Sequence, residues 1–184
     1  MRVLILVAFT VFMTSSATSN DLFSGENLIQ PMPLPEDSWV AYEKQDGSVY
    51  TRMWAKNDRK DQLMTSIFRR TPNRSVIDEK SIDDESGKEK CKSFNASESS
   101  SVIEHGYSSL TWRSSCSTGN GSSIVVLHKA ISGRDSFYHI RRIWNSGYTQ
   151  EQMELWKKYF LTIYTCDTRS TESNSCPGGY SQVN

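Results

Sequence analysis

The sequence of 184 residues has no excess of charge of either sign, because 21 lysines and arginines are balanced by 21 aspartates and glutamates. Proteins that bind nucleic acid or anionic membrane surfaces usually carry a clear basic surplus or patch. Histidine is scarce, with three residues, so a site built on imidazole has few residues to use. The composition argues against nucleic acid as a partner, and 36% hydrophobic residues are typical of one soluble globular domain.

The sequence also lacks the short motifs of several common enzyme classes. It contains no Gly-x-Ser-x-Gly elbow, no Gly-x-x-x-x-Gly-Lys-Ser/Thr phosphate loop and no His-Glu-x-x-His metal motif. The acidic residues between Asp78 and Glu85 do not have calcium-loop spacing and are interpreted as a solvated helix face. We therefore predict a protein without enzymatic activity, without catalytic residues and without a cofactor.

Long apolar runs are absent after the first thirteen residues. Arg2 precedes an apolar run from Val3 to Met13, and small residues follow up to Ser19, which is the pattern of a secretory signal. This run is about half of the roughly 20 residues that a membrane-spanning helix needs. We predict that residues 1–19 are a signal peptide, and that the mature protein is secreted through the periplasm and has no transmembrane segment.

The chain has only four cysteines, and all of them follow the signal. An even number in an exported chain favours two disulfides, and no Cys-x-x-Cys pair suggests a zinc site. Four cysteines allow three connectivities. We predict Cys91 with Cys116 and Cys166 with Cys176, because each pair closes a short local loop.

Three of the five prolines lie in residues 20–38, which we predict to be an extended lead-in to a single domain of residues 39–184. A hairpin is predicted from residues 39–43 and 49–55, because the Asp46-Gly47 step between them favours a tight turn.

The remaining elements follow from hydrophobic periodicity and turn signals. We predict a strand over 63–70, a helix over about 73–90, a one-side-buried strand over 108–116, and a hairpin of 123–131 with 135–144. A last helix begins after Thr149, whose capping box includes Gln152. Its apolar stripe consists of Met153, Trp156, Phe160 and Ile163.

These elements predict an α+β fold, a mainly antiparallel twisted sheet flanked by helices, with seven or eight strands. Several residue groups follow one another in a distinctive order: Trp39 with Glu43, Leu63 to Arg70, Cys91, Tyr107, Trp112, Cys116, Lys129 to Gly133, Phe137-Tyr138, Arg142-Ile143-Trp144, Trp156, Tyr159-Phe160-Leu161, Cys166 to Arg169 and Cys176-Pro177. This order resembles an uncharacterised family of exported bacterial proteins that includes type II secretion substrates, and the resemblance implies the same cysteine pairing. More distantly, the element order resembles the α/β/α sandwich of PsbP and Mog-type proteins, which host binding rather than one shared chemistry.

Two histidines are candidates for a metal site. If Gly133 and Arg134 form the hairpin loop, His128 lies directly opposite His139 with Cβ atoms about 5 Å apart. Two imidazoles at that distance can bind a transition metal ion, but a site needs a third ligand, which the sequence does not identify. We expect an ordinary cross-strand pair, and a metal or pH-sensing site is the alternative.

Two further sets of side chains are open to a binding interpretation. Arginines that can gather into an anion-binding patch, or instead pair with surface acids, are Arg69, Arg70, Arg74, Arg141 and Arg142. Tryptophans that we predict to be core anchors rather than a carbohydrate platform are Trp39, Trp54, Trp112, Trp144 and Trp156.

The sequence therefore predicts a secreted, monomeric binding or effector protein that acts on a host or cell-surface component. One alternative is a small metal-dependent enzyme that uses His128 and His139. Another is a structural protein of the envelope or extracellular matrix. Metal-dependent stability, saturable capture of one surface molecule and retention in an insoluble surface fraction distinguish the three.

Overall fold

The computed structural model describes residues 22–71, 74–119, 121–145 and 147–177, so the predicted signal peptide lies outside the described residues. Ten strands and two helices follow one another along this part of the chain. Their bounds are β1 Glu26–Ile29, β2 Val40–Asp46, β3 Val49–Lys56, β4 Asp61–Arg69, α1 Val76–Lys90, β5 Ser93–Ala96, β6 Val102–Glu104, β7 Tyr107–Ser117, β8 Ser123–Ser132, β9 Ser136–Trp144, α2 Gln150–Leu161 and β10 Tyr164–Asp167.

Eight strands form one antiparallel sheet in the order β2-β3-β4-β9-β8-β7-β5, and β6 also pairs with β7. The remaining two strands, β1 and β10, form a separate antiparallel pair. The predicted α+β class with a mainly antiparallel sheet is confirmed. The described residues contain more strands than the seven or eight predicted, because β1, β6 and β10 are short and lack a periodic pattern of their own.

The predicted pairing of the cysteines is confirmed. Cys91 is bonded to Cys116 and Cys166 to Cys176, and no cysteine of the described residues is free. Disulfides persist in oxidising compartments, so they indicate a periplasmic or extracellular environment. Among the described residues, no helix combines the length and the apolar composition that crossing a membrane requires.

The two helices lie on opposite faces of the sheet. On one face, Trp156 and Phe160 of α2 share a large core cluster with Tyr138 of β9. On the other face, Val76 of α1 belongs to a smaller cluster with Phe137, the neighbouring residue of β9. Because successive side chains of a strand point to opposite faces, the sheet is covered by one helix on each side.

Helix α2 forms and docks as its sequence predicts. The Thr149 side chain accepts a hydrogen bond from the Gln152 backbone N–H, and the Gln152 side chain accepts one from the Thr149 N–H, which is the expected capping box. The apolar stripe of this helix is fully inside the core: Met153, Trp156, Phe160 and Ile163 are each no more than 1% exposed. Burial of this stripe holds α2 on the sheet, and Nζ of Lys129 on β8 adds a buried hydrogen bond to the Phe160 carbonyl oxygen at 3.0 Å.

Helix α1 docks without an apolar stripe. The Ser75 side chain caps it by accepting from two backbone N–H groups, yet Ile77 and Ile82 are 46% and 55% exposed. The buried residues of α1 are Val76, at its start, and Glu79. Hydrophobic burial therefore holds the N-terminal turn of α1, and other interactions must hold the rest of the helix.

The C-terminal half of α1 is held by a close packing contact and a disulfide. A Cβ atom at Gly87 would lie 2.2 Å from Cε2 of Phe94 on β5, so the helix approaches that ring only because residue 87 is glycine. Cys91, the C-cap residue, is joined to Cys116 of β7. The glycine that weakens the intrinsic propensity of this helix thus permits its contact with the sheet.

The predicted lead-in belongs to the folded domain. Within residues 20–38, β1 pairs with β10, and the Glu26 carboxylate accepts hydrogen bonds from backbone N–H groups in the turn between β8 and β9, those of Asp135 and Ser136 at 2.7 and 3.1 Å. Leu22 and Leu34 are 5% and 7% exposed. The domain therefore begins before residue 39, because residues that have no local periodicity pair with a strand far along the chain.

Candidate metal centre

Four titratable side chains meet between α1 and the sheet. Glu79 and Asp83 are four residues apart on α1, so both lie on the same side of the helix. His128 of β8 and His139 of β9 point from the sheet toward that side and are 4% and 2% exposed. Helix α1 therefore covers two buried imidazoles with a pair of carboxylates.

The two histidines are neighbours, but their predicted register is wrong. His139 pairs with Ala130, and His128 pairs with Arg141, because the tight turn centres on Arg134 and Asp135 rather than on Gly133 and Arg134. The two imidazoles lie diagonally on one face of the sheet, and Nδ1 of His128 is 3.2 Å from Nε2 of His139. A register shift of two residues keeps both side chains on the same face, so the predicted juxtaposition survives.

The carboxylate of Asp83 completes a triangle with these two nitrogens. Its Oδ2 atom is 3.4 Å from Nδ1 of His128 and 3.6 Å from Nε2 of His139. Ligands of a tetrahedral zinc ion with bonds of about 2.0 to 2.2 Å lie roughly 3.3 to 3.6 Å from one another, and the sides of 3.2, 3.4 and 3.6 Å are close to that spacing. The three atoms are therefore spaced as ligands of one tetrahedral ion.

In each histidine, the ring nitrogen that is not part of the triangle also has a polar partner. Nδ1 of His139 is 3.0 Å from Oε1 of Glu79, whose other oxygen accepts from the Arg74 guanidinium. Nε2 of His128 is 2.8 Å from the Ser114 hydroxyl oxygen. Metal-bound histidines characteristically have such a partner on the second nitrogen, most often a carboxylate, which fixes the tautomer and the ring orientation.

An aromatic ring limits the orientation of both imidazoles. The Trp112 ring of β7 stacks on His128 with centroids 4.4 Å apart and an angle of 7° between planes, and it lies 5.5 Å from the His139 ring. Trp112 is 2% exposed, so it closes the site on the side of the sheet. The Asp83 side chain is 29% exposed, but its Oδ2 atom, which faces the two imidazoles, is buried.

The protonation states of these groups suit a metal ion. Burial lowers the pKa of His128 to about 4 and also lowers the pKa of His139, so both imidazoles are neutral at neutral pH. Burial works to raise the pKa of Asp83, but its interaction with His128 and nearby positive charges, including that of Arg141, hold that pKa below its usual value. Neutral imidazoles and an ionised carboxylate are the forms that bind a metal.

The hydrogen-bonding capacity of the cluster is not satisfied internally. With the His139 proton on Nδ1 toward Glu79, its Nε2 presents a lone pair, and an ionised Asp83 has no proton to donate. His128 Nδ1 can then donate to one of these two acceptors. Oδ2 of Asp83 is buried, and the donor beside it, Nδ1 of His128, is 3.4 Å away, at the long end of hydrogen-bond distance. A divalent cation at the centre accepts a lone pair from all three atoms.

The five arginines predicted as an anion patch do not form one surface. Arg141 and Arg142 are adjacent on β9 and so point to opposite faces of the sheet. Arg74 is paired with Glu79 under α1, whereas Arg69, the last residue of β4, and Arg70 are exposed. Of the five, Arg74 and Arg141 are thus the ones on the face that carries the metal triangle.

Arg142 belongs to a closed ion network on the α2 face. Its side chain is 0% exposed and forms salt bridges with Glu36 at 3.2 Å and Asp61 at 3.7 Å. The guanidinium lies over three of the five tryptophan rings, with 4.4 to 5.0 Å to their centroids. These rings belong to Trp39, Trp144 and Trp156.

The tryptophans occupy the core, as their predicted role requires. Four of them are at most 8% exposed, and Trp39 is partly buried against the larger cluster. The four are Trp54, Trp112, Trp144 and Trp156.

Sequence reasoning missed Asp83 and Glu79, which it placed on a solvated helix face. A signal was present: the predicted helix has almost no apolar stripe, and a helix that docks on a sheet must bury something. Two carboxylates spaced by four residues on such a helix, together with two histidines in one hairpin, indicate a polar docking surface.

Comparisons with known proteins add little to this geometry. No protein-family model matches the chain, and the search of curated proteins finds no match. One solved structure with some similarity is that of PA94, a Pseudomonas aeruginosa protein of unknown function, at 12% identity. The match covers 70% of this chain and 97% of that chain, with a TM-score of 0.47, and supports no argument about fold or function. The resemblance to exported bacterial proteins and to the PsbP and Mog folds stays a prediction.

Proposed function

We propose that this chain is an exported metal-binding protein that holds one Zn²⁺ ion between α1 and the sheet. The observation that carries the proposal is the triangle of Asp83 Oδ2, His128 Nδ1 and His139 Nε2, with sides of 3.2 to 3.6 Å. Two nitrogens and one carboxylate oxygen form a ligand set that zinc accepts in tetrahedral geometry.

The way α1 docks supports the same proposal. This helix has little apolar surface to bury, and its middle turns reach the sheet through Glu79 and Asp83. A zinc ion bridging Asp83 to His128 and His139 would attach the helix to two strands at once. Zinc binding would then stabilise the domain, by about 2.7 kcal/mol at a free zinc concentration of one hundred times Kd.

Export to an oxidising compartment completes the proposed function. The two disulfides are consistent with it, and the signal pattern of residues 1–19 supplies the route. A macromolecular partner on a host or on the cell surface, the monomeric state and a structural envelope role stay predictions from the sequence.

The direct test is zinc titration of the purified mature protein by calorimetry after chelator treatment, with metal content checked by mass spectrometry. We expect one zinc per chain, and at least tenfold weaker binding in Asp83→Asn, His128→Gln and His139→Gln. His105→Gln is the matched control, because His105 is exposed and stacks on Tyr164, away from the triangle. Absence of zinc binding in the wild type, or an equal loss in His105→Gln, contradicts the proposal.

A small metal-dependent enzyme is the second candidate, and one observation favours it. Three protein ligands leave a tetrahedral zinc ion with one open position, which is the arrangement of hydrolytic zinc sites. Hydrolysis of simple aryl esters or phosphoesters that requires zinc and disappears in Asp83→Asn would support this function. Zinc binding without any such turnover would leave the binding function alone.

A further inference from the structure

A positively charged side chain lies beside the triangle without a salt bridge to any carboxylate of the described residues. Arg141 stands directly opposite His128 in the pairing of β8 with β9, and it lies two residues after His139 on the same face. Directly opposed residues have Cβ atoms about 5 Å apart, so the arginine side chain is long enough to reach an anion held at the triangle. Arg141 is therefore a neighbour of the proposed zinc ion.

The guanidinium of Arg141 is not used by the fold. It forms no salt bridge with any carboxylate of the described residues, and its Nε atom is buried without a hydrogen-bond partner. The adjacent Arg142, in contrast, has two carboxylate partners. Partly buried charges are normally paired, so an unpaired arginine at the entrance to a site calls for an external partner.

The charges around the triangle also favour a negatively charged external partner. A Zn²⁺ ion with the Asp83 carboxylate leaves one net positive charge, and Arg141 adds a second. The neighbouring Arg74 and Glu79 neutralise each other. Arg141 lies on the same face as the triangle, directly opposite His128. The zinc-loaded site would thus carry a net positive charge.

We propose that the zinc-loaded protein binds a small oxyanion, with one oxygen at the open zinc position and a second oxygen accepting hydrogen bonds from Arg141. Arginine favours carboxylate and phosphate groups because its planar fork donates two parallel hydrogen bonds. The ligand class is therefore a molecule with an exposed carboxylate or a phosphate-like group. This inference rests on the proposed function, because the anion needs the metal ion.

The test uses the mature protein loaded with Co²⁺, whose visible absorption responds to a change in its fourth ligand. Acetate and methylphosphonate are titrated separately at constant ionic strength, with perchlorate as the non-coordinating control, so the two arms distinguish a carboxylate from a phosphate-like ligand. We expect a saturable spectral change with at least one of them. Arg141→Gln should weaken that anion about tenfold or more while binding the same amount of Co²⁺.

Arg113→Gln is the matched control, because Arg113 is exposed on the outer face of β7. It should bind the anion as the wild type does. Equal anion affinity in Arg141→Gln and wild type, or a Co²⁺ spectrum that neither anion changes, overturns the oxyanion proposal and leaves the metal site intact. Failure of the wild type to bind Co²⁺ or Zn²⁺ at all overturns the proposed function itself.

Discussion

The two faces of the central sheet both bury charged side chains, but they neutralise them in different ways. On the α2 face, the guanidinium of Arg142 is surrounded by aromatic rings and paired with the carboxylates of Glu36 and Asp61. On the α1 face, Asp83, His128 and His139 bring three possible ligand atoms within 3.6 Å of one another. The first arrangement pairs its charges within the chain, whereas the second is the one that we propose to bind a cation.

The two faces also differ in how many hydrophobic side chains they bury. The cluster on the α2 face contains fourteen buried hydrophobic residues, whereas the cluster on the α1 face contains five. Helix α2 can therefore dock by hydrophobic burial, but α1 depends on Val76, its polar contacts and the Cys91–Cys116 disulfide. The larger face stabilises the fold, and the smaller face is free to carry a ligand site.

The largest effect should come from opening the ion network on the α2 face. Arg142→Ala removes the buried cation that both Glu36 and Asp61 pair with, so we expect a loss of about 3 to 5 kcal/mol in the free energy of unfolding. Arg141→Ala, one residue earlier and on the other face, should cost less than about 1 kcal/mol. Urea unfolding of both variants in the presence of a chelator measures the difference. Equal losses would show that the two faces do not differ as described.

The next effect should come from the disulfide that holds α1. Replacing Cys91 and Cys116 by serine should cost about 2 to 4 kcal/mol, because the bridge closes a loop and α1 has few apolar contacts to replace it. Hydrogen exchange should show faster exchange for α1 amides and unchanged protection for α2 amides. The Cys166→Ser/Cys176→Ser variant is the control, since that bridge does not touch α1. Equal loss of protection in both helices would contradict the separate roles of the faces.

The features predicted correctly from sequence have local causes. Helix α2 was predictable because its capping box and its stripe are encoded within fifteen residues of Thr149. The hairpin of β2 with β3 follows from Asp46-Gly47, where Gly47 adopts a φ of +56°. The disulfides follow from spacing and an exported context. Each of these signals is complete before the rest of the chain is considered.

The features that were missed depend on distant parts of the chain. Strand β1 exists because Glu26 and its neighbours pair with β10, more than one hundred residues away. The register of β8 with β9 depends on which two residues occupy the turn, and Gly133 suggests a turn one residue too early. Asp83 meets His128 and His139 only because α1 crosses the sheet above them, and no local pattern encodes that crossing.

In the metal-free protein, acid should destabilise the α1 face at a higher pH than the α2 face. The folded-state pKa of His128 is about 4, below the usual value of 6.5, so the unfolded chain takes up this proton first as the pH falls. Stability should therefore decrease between about pH 6.5 and 4, by about 1.4 kcal/mol for each unit of difference in pKa. His128→Gln should remove its own part of this decrease, whereas the part due to the lowered pKa of His139 should remain.

Glu36, on the α2 face, should respond only at lower pH. Burial works to raise its pKa, but Lys56, Arg142 and Trp156 hold the pKa below the usual 4.5. Its stabilising contribution is therefore present above pH 4.5 and is lost as the pH falls through the lower folded-state value. Urea unfolding at several pH values tests both windows, and a flat stability between pH 6.5 and 5 would contradict the neutral buried imidazole.

The smallest change to the fold should come from Glu79→Gln, which keeps an oxygen that can accept the His139 Nδ1 proton but removes the negative charge. A carboxylate makes the imidazole a stronger metal ligand than an amide does, so we expect zinc affinity to fall about ten- to hundredfold. Glu85→Gln removes the same charge from an exposed position of α1 and should bind zinc as the wild type does. If both variants lost affinity equally, the net charge of the helix, rather than the contact between Glu79 and His139, would set the strength of the site.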